Sequence, residues 1–156
     1  FESGESGSEG ALRESLDEIV CDRSGRVALT TFASNLARIE TAAWVAIKND
    51  RHPVLVGRSL WRILSVARES GYDKELPDFL SEHDAAHLPP EKVLLICTGS
   101  QGEPRGAMAR IAQGSHPRVQ LVSGDLAIFS SKISVSLLSR FSFVLNIFLT
   151  FGCSLV

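Results

Sequence analysis

The chain lacks the features that mark the commonest ligand sites. Its three cysteines, Cys21, Cys97 and Cys153, stand far apart and form no CxxC pair. That argues against a zinc ribbon and against a disulfide framework. Neither GxxxxGK[ST] nor GxGxxG occurs, so both common nucleotide fingerprints are missing. Four histidines, His52, His83, His87 and His116, are scattered. Only His83 and His87, four apart in EHDAAH, could share a helix face, and two ligands fall short of the three or four a metal site needs. His52 and His116 each precede a proline and read as structural. No charge dominates: 16 Lys and Arg face 18 Asp and Glu, a net charge of −2. The whole chain therefore has no attraction for nucleic acid, and any such contact must be local. The first residue is not Met, and FESGESGSEG, residues 1–10, reads as a flexible lead-in within a longer protein. A reducing, cytoplasmic setting is expected.

What is present is globular. With 156 residues, 44% of them hydrophobic and 22% charged, the chain can bury one real core. Apolar residues at helical spacing predict helices over Glu9–Asp22, over NLARIETAAWVAIKND and over SLWRILSVARES. Leu12, Leu16, Ile19 and Val20 share a face of the first. Leu36, Ile39, Ala43 and Ile47 do so in the second, and Leu60, Ile63, Leu64 and Ala67 in the third. Strands are expected at RVALTTF (Arg26–Phe32), HPVLVG (His52–Gly57) and VLLICT, with two short ones at VQLVSGD and LAIFSSKI. A fourth helix is expected over GEPRGAMARIAQG, starting near Pro104. Residues 71–92 are irregular and polar. Alternating strands and helices, with an unbroken apolar run such as VLLIC, predict an α/β fold: a parallel sheet flanked by helices. Ligands in such sheets bind at the carboxyl ends of the strands.

Two loops precede helices at such ends. TTFASN offers hydroxyls from Thr30, Thr31 and Ser34 and an amide from Asn35. TGSQGEPRG offers Thr98, Ser100, Gln101 and two close-approach glycines. Both suit an anion beside unpaired backbone N–H groups. They equally suit a helix cap at Ser34 or Asn35 and a turn at Gly99 and Gly102. From the residues alone both readings stand.

Three stretches, TTFASNLARIE, LLICTGSQGEPRGAMARIA and DLAIFSSKI, resemble in order and interval the β-CASP domain of ribonuclease J, a family of metallo-β-lactamase-fold nucleases. ESGESGSEGALRESL resembles the linker that follows that family's aspartate-serine-threonine-asparagine motif. The resemblance covers about residues 1–133 and implies a β-CASP-like domain over residues 11–133. It also implies a metal-dependent ribonuclease that matures and degrades RNA by 5′-exonuclease and endonuclease action. Two zinc ions, manganese in some members, would activate a water in the complete protein, with RNA lying between the β-CASP domain and the catalytic domain. On the matched positions the resemblance implies an RNA channel along Ser34, Asn35, Ser100, Gln101, Gly102, Glu103 and Ser130. These would contact phosphate more than base. Glu103, a carboxylate, is expected to hold loop N–H groups or an arginine such as Arg105. Glu40 is read as a solvated helix face.

The family's HxHxDH metal motif is absent, so no metal, cofactor or catalytic residue is expected in this chain. The expected partners are RNA and the metallo-β-lactamase domain of the same protein, with a homo-oligomer in the complete parent. After Ile133 the resemblance stops where an isoleucine-proline-glycine-asparagine-glutamate motif should follow. Residues 134–156 form an apolar tail, uncharged after Arg140. It is read as a frameshifted or truncated end in preference to a membrane anchor. Two further function classes remain: a phosphate- or nucleotide-binding α/β module and, if the tail is a true anchor, a membrane-tethered interaction domain.

Overall fold

The computed structural model describes residues 7–72, 76–100, 103–130 and 154–155. Its elements are α1 (Gly7–Val20), β1 (Val27–Thr30), α2 (Leu36–Lys48), β2 (His52–Val56), α3 (Arg58–Glu69), β3 (Leu80–Ser81), β4 (Val93–Cys97), α4 (Ala107–Ala112), β5 (Leu126–Phe129) and β6 (Ser154–Leu155). Two short 3-10 turns, Asp84–His87 and Pro90–Lys92, lie between β3 and β4. The strands form one parallel sheet in the order β3-β2-β4-β1-β5-β6. The parallel α/β architecture expected from the sequence is what the chain adopts.

Both faces of the sheet are covered, which is why its strands are apolar throughout. Val27 and Leu29 of β1, Leu94 and Ile96 of β4 and Leu126 and Ile128 of β5 pack with α1, α2 and α3. Residues of opposite parity, Ala28, Leu95, Cys97 and Ala127, pack with α4 and with Val119 and Leu121. The helices bury the stripes that their spacing marks out: Leu16 and Val20 of α1, Ile39 and Ala43 of α2, and Leu60, Leu64 and Ala67 of α3. Ile47 departs from its stripe and is exposed in the last turn of α2.

Two expected elements are corrected. VQLVSGD is no strand. Its alternation is real, since Val119 and Leu121 are buried and Gln120 is exposed, but the stretch pairs with no strand among the described residues. Its end folds into a turn in which the Asp125 carboxylate accepts the Val122 N–H at 2.9 Å and the Asp125 N–H donates back to the Val122 carbonyl. The fourth helix starts at Ala107 and not near Pro104. Gly106 sits so close to Gly99 that a Cβ on it would come within 2.7 Å of the Gly99 Cα, and residues 103–106 turn to make that approach.

Of the 134–156 stretch only Ser154 and Leu155 are described, as β6 beside Leu126 and Ala127. No described helix is long and apolar enough to cross a membrane.

Candidate functional site

The parallel register brings the three motif-bearing loops together. β4, β1 and β5 are neighbours, so the segments after Cys97, Thr30 and Phe129 leave the same end of the sheet side by side. After β1, Asn35 caps α2: its Oδ1 accepts the Arg38 N–H at 3.1 Å. The cap reading holds for Asn35, while Ser34 beside it is exposed. At the end of β5 the Ser130 hydroxyl donates to the Thr30 carbonyl at 2.5 Å, and Arg38 Nη1 donates to the Ser130 carbonyl at 2.6 Å. The TTFASN loop and the IFSS strand end are thereby tied to each other.

After β4, Gly99 takes φ +107°, a conformation that favours glycine. The Thr98 Oγ1 accepts the Ala107 N–H at 3.1 Å, and the Thr98 carbonyl accepts the Met108 N–H at 2.9 Å. The start of α4 is thus capped from the strand behind it. Of the expected site residues, Ser34 and Glu103 are exposed and Asn35 and Ser130 half-buried, whereas Ser100 is wholly buried. Gln101 and Gly102 lie outside the described residues.

A fourth strand end joins this row, and sequence reasoning missed it. Gly57, at φ +126°, links β2 directly to α3, and a Cβ there would come within 2.9 Å of the Thr98 Oγ1. Arg58 and Ser59 then open α3, whose first turn has no side-chain cap and no acidic residue. The signal was visible in HPVLVGRSL: a strand, one glycine, then Arg-Ser at a helix start. Between this junction and the loop after β4 lies a cleft of about 640 Å³. Arg58, Arg105 and Arg110 line it, with Trp61, Ser59 and Glu82. Among the described residues, none of the three guanidiniums makes an ion pair or a side-chain hydrogen bond.

His116 lines the cleft wall. Its Nδ1 accepts the Val119 N–H at 3.1 Å and faces the Arg118 N–H at 3.4 Å, which makes it the turn-holding residue its position before Pro117 suggested. Burial, opposed by Glu82 and aided by Arg110, holds its pKa below the ordinary histidine value. His83 and His87 are exposed, and the His83 ring nitrogen Nδ1 lies 2.9 Å from Arg118 Nη1. No group of three or more His, Cys, Asp or Glu among the described residues could hold a metal ion. Cys97 is a core residue of β4, and burial pushes its thiol far up, so it stays protonated.

A smaller cleft of about 210 Å³ lies toward the other end of the sheet, with Arg26 and Arg118 on its wall. Both cations there have partners, Asp125 and His83.

Comparison with known proteins agrees with this layout. Residues 24–135 match the family model of the ribonuclease J β-CASP domain. Ribonuclease J of Sinorhizobium meliloti is 43% identical over 129 residues, covering 83% of this chain and 23% of that protein. Ribonuclease J of Synechocystis is 39% identical over 126 residues, covering 80% of this chain and 20% of that protein. Ribonuclease J of Mycolicibacterium smegmatis is 40% identical over 131 residues, with 83% and 24% covered. The chain spans about a fifth to a quarter of the length of these relatives. A family model matching most of the sequence, and a parallel sheet that gathers the family's loops at one end, establish that the chain belongs to the ribonuclease J β-CASP domain family.

Proposed function

We propose that the chain is the RNA-contacting β-CASP portion of a metal-dependent ribonuclease that processes and degrades RNA. The observation that carries this reading is the convergence of TTFASN, TGSQGEP and the end of IFSS on the carboxyl ends of three adjacent strands, β1, β4 and β5. That is where open parallel sheets bind ligands. Hydroxyls, amides and glycine-rich backbone at such ends suit phosphate oxygens, which position an RNA strand without reading its bases. Ser34 and Glu103 face outward in this row and Ser130 is half-exposed. Gln101 and Gly102 continue the same loop in sequence. Ser100, being buried, supports that loop from beneath.

The catalytic metal ions, zinc or manganese, belong in this reading to a metallo-β-lactamase domain whose HxHxDH ligands are not in this sequence. The chain alone then binds RNA and does not cut it.

The test is filter retention of a 5′-monophosphorylated single-stranded RNA by the full chain across a salt series. Affinity should fall linearly on logarithmic axes, with a slope of about −0.7 per phosphate contacted. Replacing Ser34 and Gln101 together by alanine should weaken retention. Absent or salt-independent retention would remove the reading. Zinc- or manganese-dependent cleavage by the chain alone would overturn the assignment of the chemistry to another domain.

A further inference from the structure

We infer that the cleft between the start of α3 and the loop after β4 holds one whole nucleotide of the RNA strand, with its phosphate on Arg58, Arg105 and Arg110 and its base against Trp61. The inference rests on the RNA reading above and extends it to Arg58 and Trp61, outside the family stretches quoted from the sequence, and to two arginines, Arg105 and Arg110, within one of them.

The first argument is charge. The three guanidiniums come from separate segments: the first residue of α3, the turn before α4, and α4 itself. One carboxylate, Glu82, shares the cleft, and His116 is biased by burial toward its neutral form. An excess of cations in a concave wall raises the local potential and attracts an anion. Guanidinium also suits phosphate in particular, because its fork of N–H groups meets two oxygens at once. Elsewhere in the described chain arginines facing clefts or the sheet are engaged: Arg26 with Asp125, Arg118 with His83, and Arg51 with backbone carbonyls.

The second argument is size and composition. A volume of about 640 Å³ falls in the range of small-molecule sites, roughly 300–1,000 Å³. It leaves room for more than a lone phosphate. Trp61 lines the same space while its other side packs on the core beneath α3. An aromatic beside a cationic groove is the combination that holds single-stranded nucleic acid without regard to sequence, since every base has a stacking face. The Ser59 hydroxyl adds a neutral donor on the same wall.

The third argument is position. β2 stands next to β4, which stands next to β1. The cleft therefore continues the row of loops by one strand. From β2 to β5 the row spans three strand spacings, roughly 14 Å at about 4.8 Å each. One extended strand of RNA can lie along it.

The sequence has two tryptophans, so Trp44→Phe leaves Trp61 as the sole indole reporter in the full chain. Titration with pentaadenylate should quench Trp61 emission to saturation. Arg105→Ala with Arg110→Ala, both exposed positions, should weaken retention at least tenfold and reduce the salt slope by about 1.4, or 0.7 for each lost phosphate contact. Trp61→Leu, with Trp44 in place, should weaken filter retention about tenfold, and Trp61→Phe should restore it. Retention of pentaadenylate with unchanged Trp61 emission, or unchanged affinity in the double arginine variant, would overturn the cleft assignment and leave the loop reading standing. Quenching by inorganic phosphate as strong as by pentaadenylate would overturn the nucleotide in favour of a simple anion site. No retention at all would remove both.

Discussion

At the amino-terminal end of the sheet, the residues just ahead of the strands are bound to one another. Arg51, before β2, is buried and donates to the Gly25 carbonyl at 2.8 Å, to the Val93 carbonyl at 3.2 Å and to the Arg23 carbonyl. Asp125, before β5, accepts the Arg26 N–H at 2.8 Å and the Val122 N–H at 2.9 Å. Lys92, before β4, pairs with Asp50 before β2. At the carboxyl-terminal end the arrangement is reversed. Arg58, Arg105 and Arg110 face one cleft with no partner from the described chain. Charge at one end ties strands to strands. At the other, Arg38 holds the end of β5 through the Ser130 carbonyl, while the three cleft arginines have no such acceptor among the described residues. The difference supports the proposed cleft without appeal to any motif, because a cation that stabilises the fold has its acceptor within reach.

The comparison can be broken first at its structural end. Asp125→Ala leaves two backbone N–H groups without their acceptor. Hydrogen bonds to charged groups contribute about 1.5–3 kcal/mol each, so a loss of about 3 kcal/mol is expected, read as a lower urea midpoint. Asp125→Asn, which keeps an acceptor oxygen, should lose less. If the double arginine variant at positions 105 and 110 lowered the midpoint as much as Asp125→Ala, the two ends would not differ as described, since exposed substitutions ordinarily stay within about 0.5 kcal/mol.

Gly106→Ala is the next largest effect. It sets a Cβ against the Gly99 Cα at 2.7 Å, where neither backbone can give way freely. Overpacking of this kind costs about 1–3 kcal/mol. RNA retention should fall beyond what the unfolded fraction explains, because the displaced segment carries Arg105 and the loop after β4. Retention that merely tracks the folded fraction would show that the loop's shape does not matter to binding.

The smallest effect is a pH dependence. His116 has a folded pKa lowered chiefly by burial. Its contribution to stability is complete above the ordinary histidine value near 6.5. It declines as pH falls from there toward the lower folded value, because the unfolded chain takes up the proton first. Protonation also removes the Nδ1 acceptor of the Val119 N–H. The melting temperature should therefore drop as pH falls below about 6.5, and His116→Asn should flatten that part of the profile. An unchanged profile in the variant would assign the drop to other groups.

The architecture was legible because its signals are local. VLLIC, an unbroken apolar run, read as a strand buried on both faces, and Ser34 and Asn35 stood where a cap belongs. The errors arose where distant residues decide. VQLVSGD alternates like a strand, yet the Asp125 carboxylate that closes its turn also takes the N–H of Arg26, on the far side of the sequence. The start of α4 was set by contact with Gly99 and by the Thr98 hydroxyl. The strand-end loops were readable one at a time. The cleft was not, because Arg58 and Arg110 become neighbours only once β2 and β4 pair.

That pairing has a bearing on how the chain comes into being. β1 and β2 follow each other in sequence, but β4 lies between them in the sheet. Among the described residues through 92, the brief contact of β2 with β3 is the one strand pairing that a growing chain can make. At synthesis rates of about 5–20 residues per second, β1 waits roughly 3–13 s for its first partner. Contacts so far apart in sequence make folding slow. The arrival of Val93–Cys97 is thus the first point at which β1 can pair with another described strand.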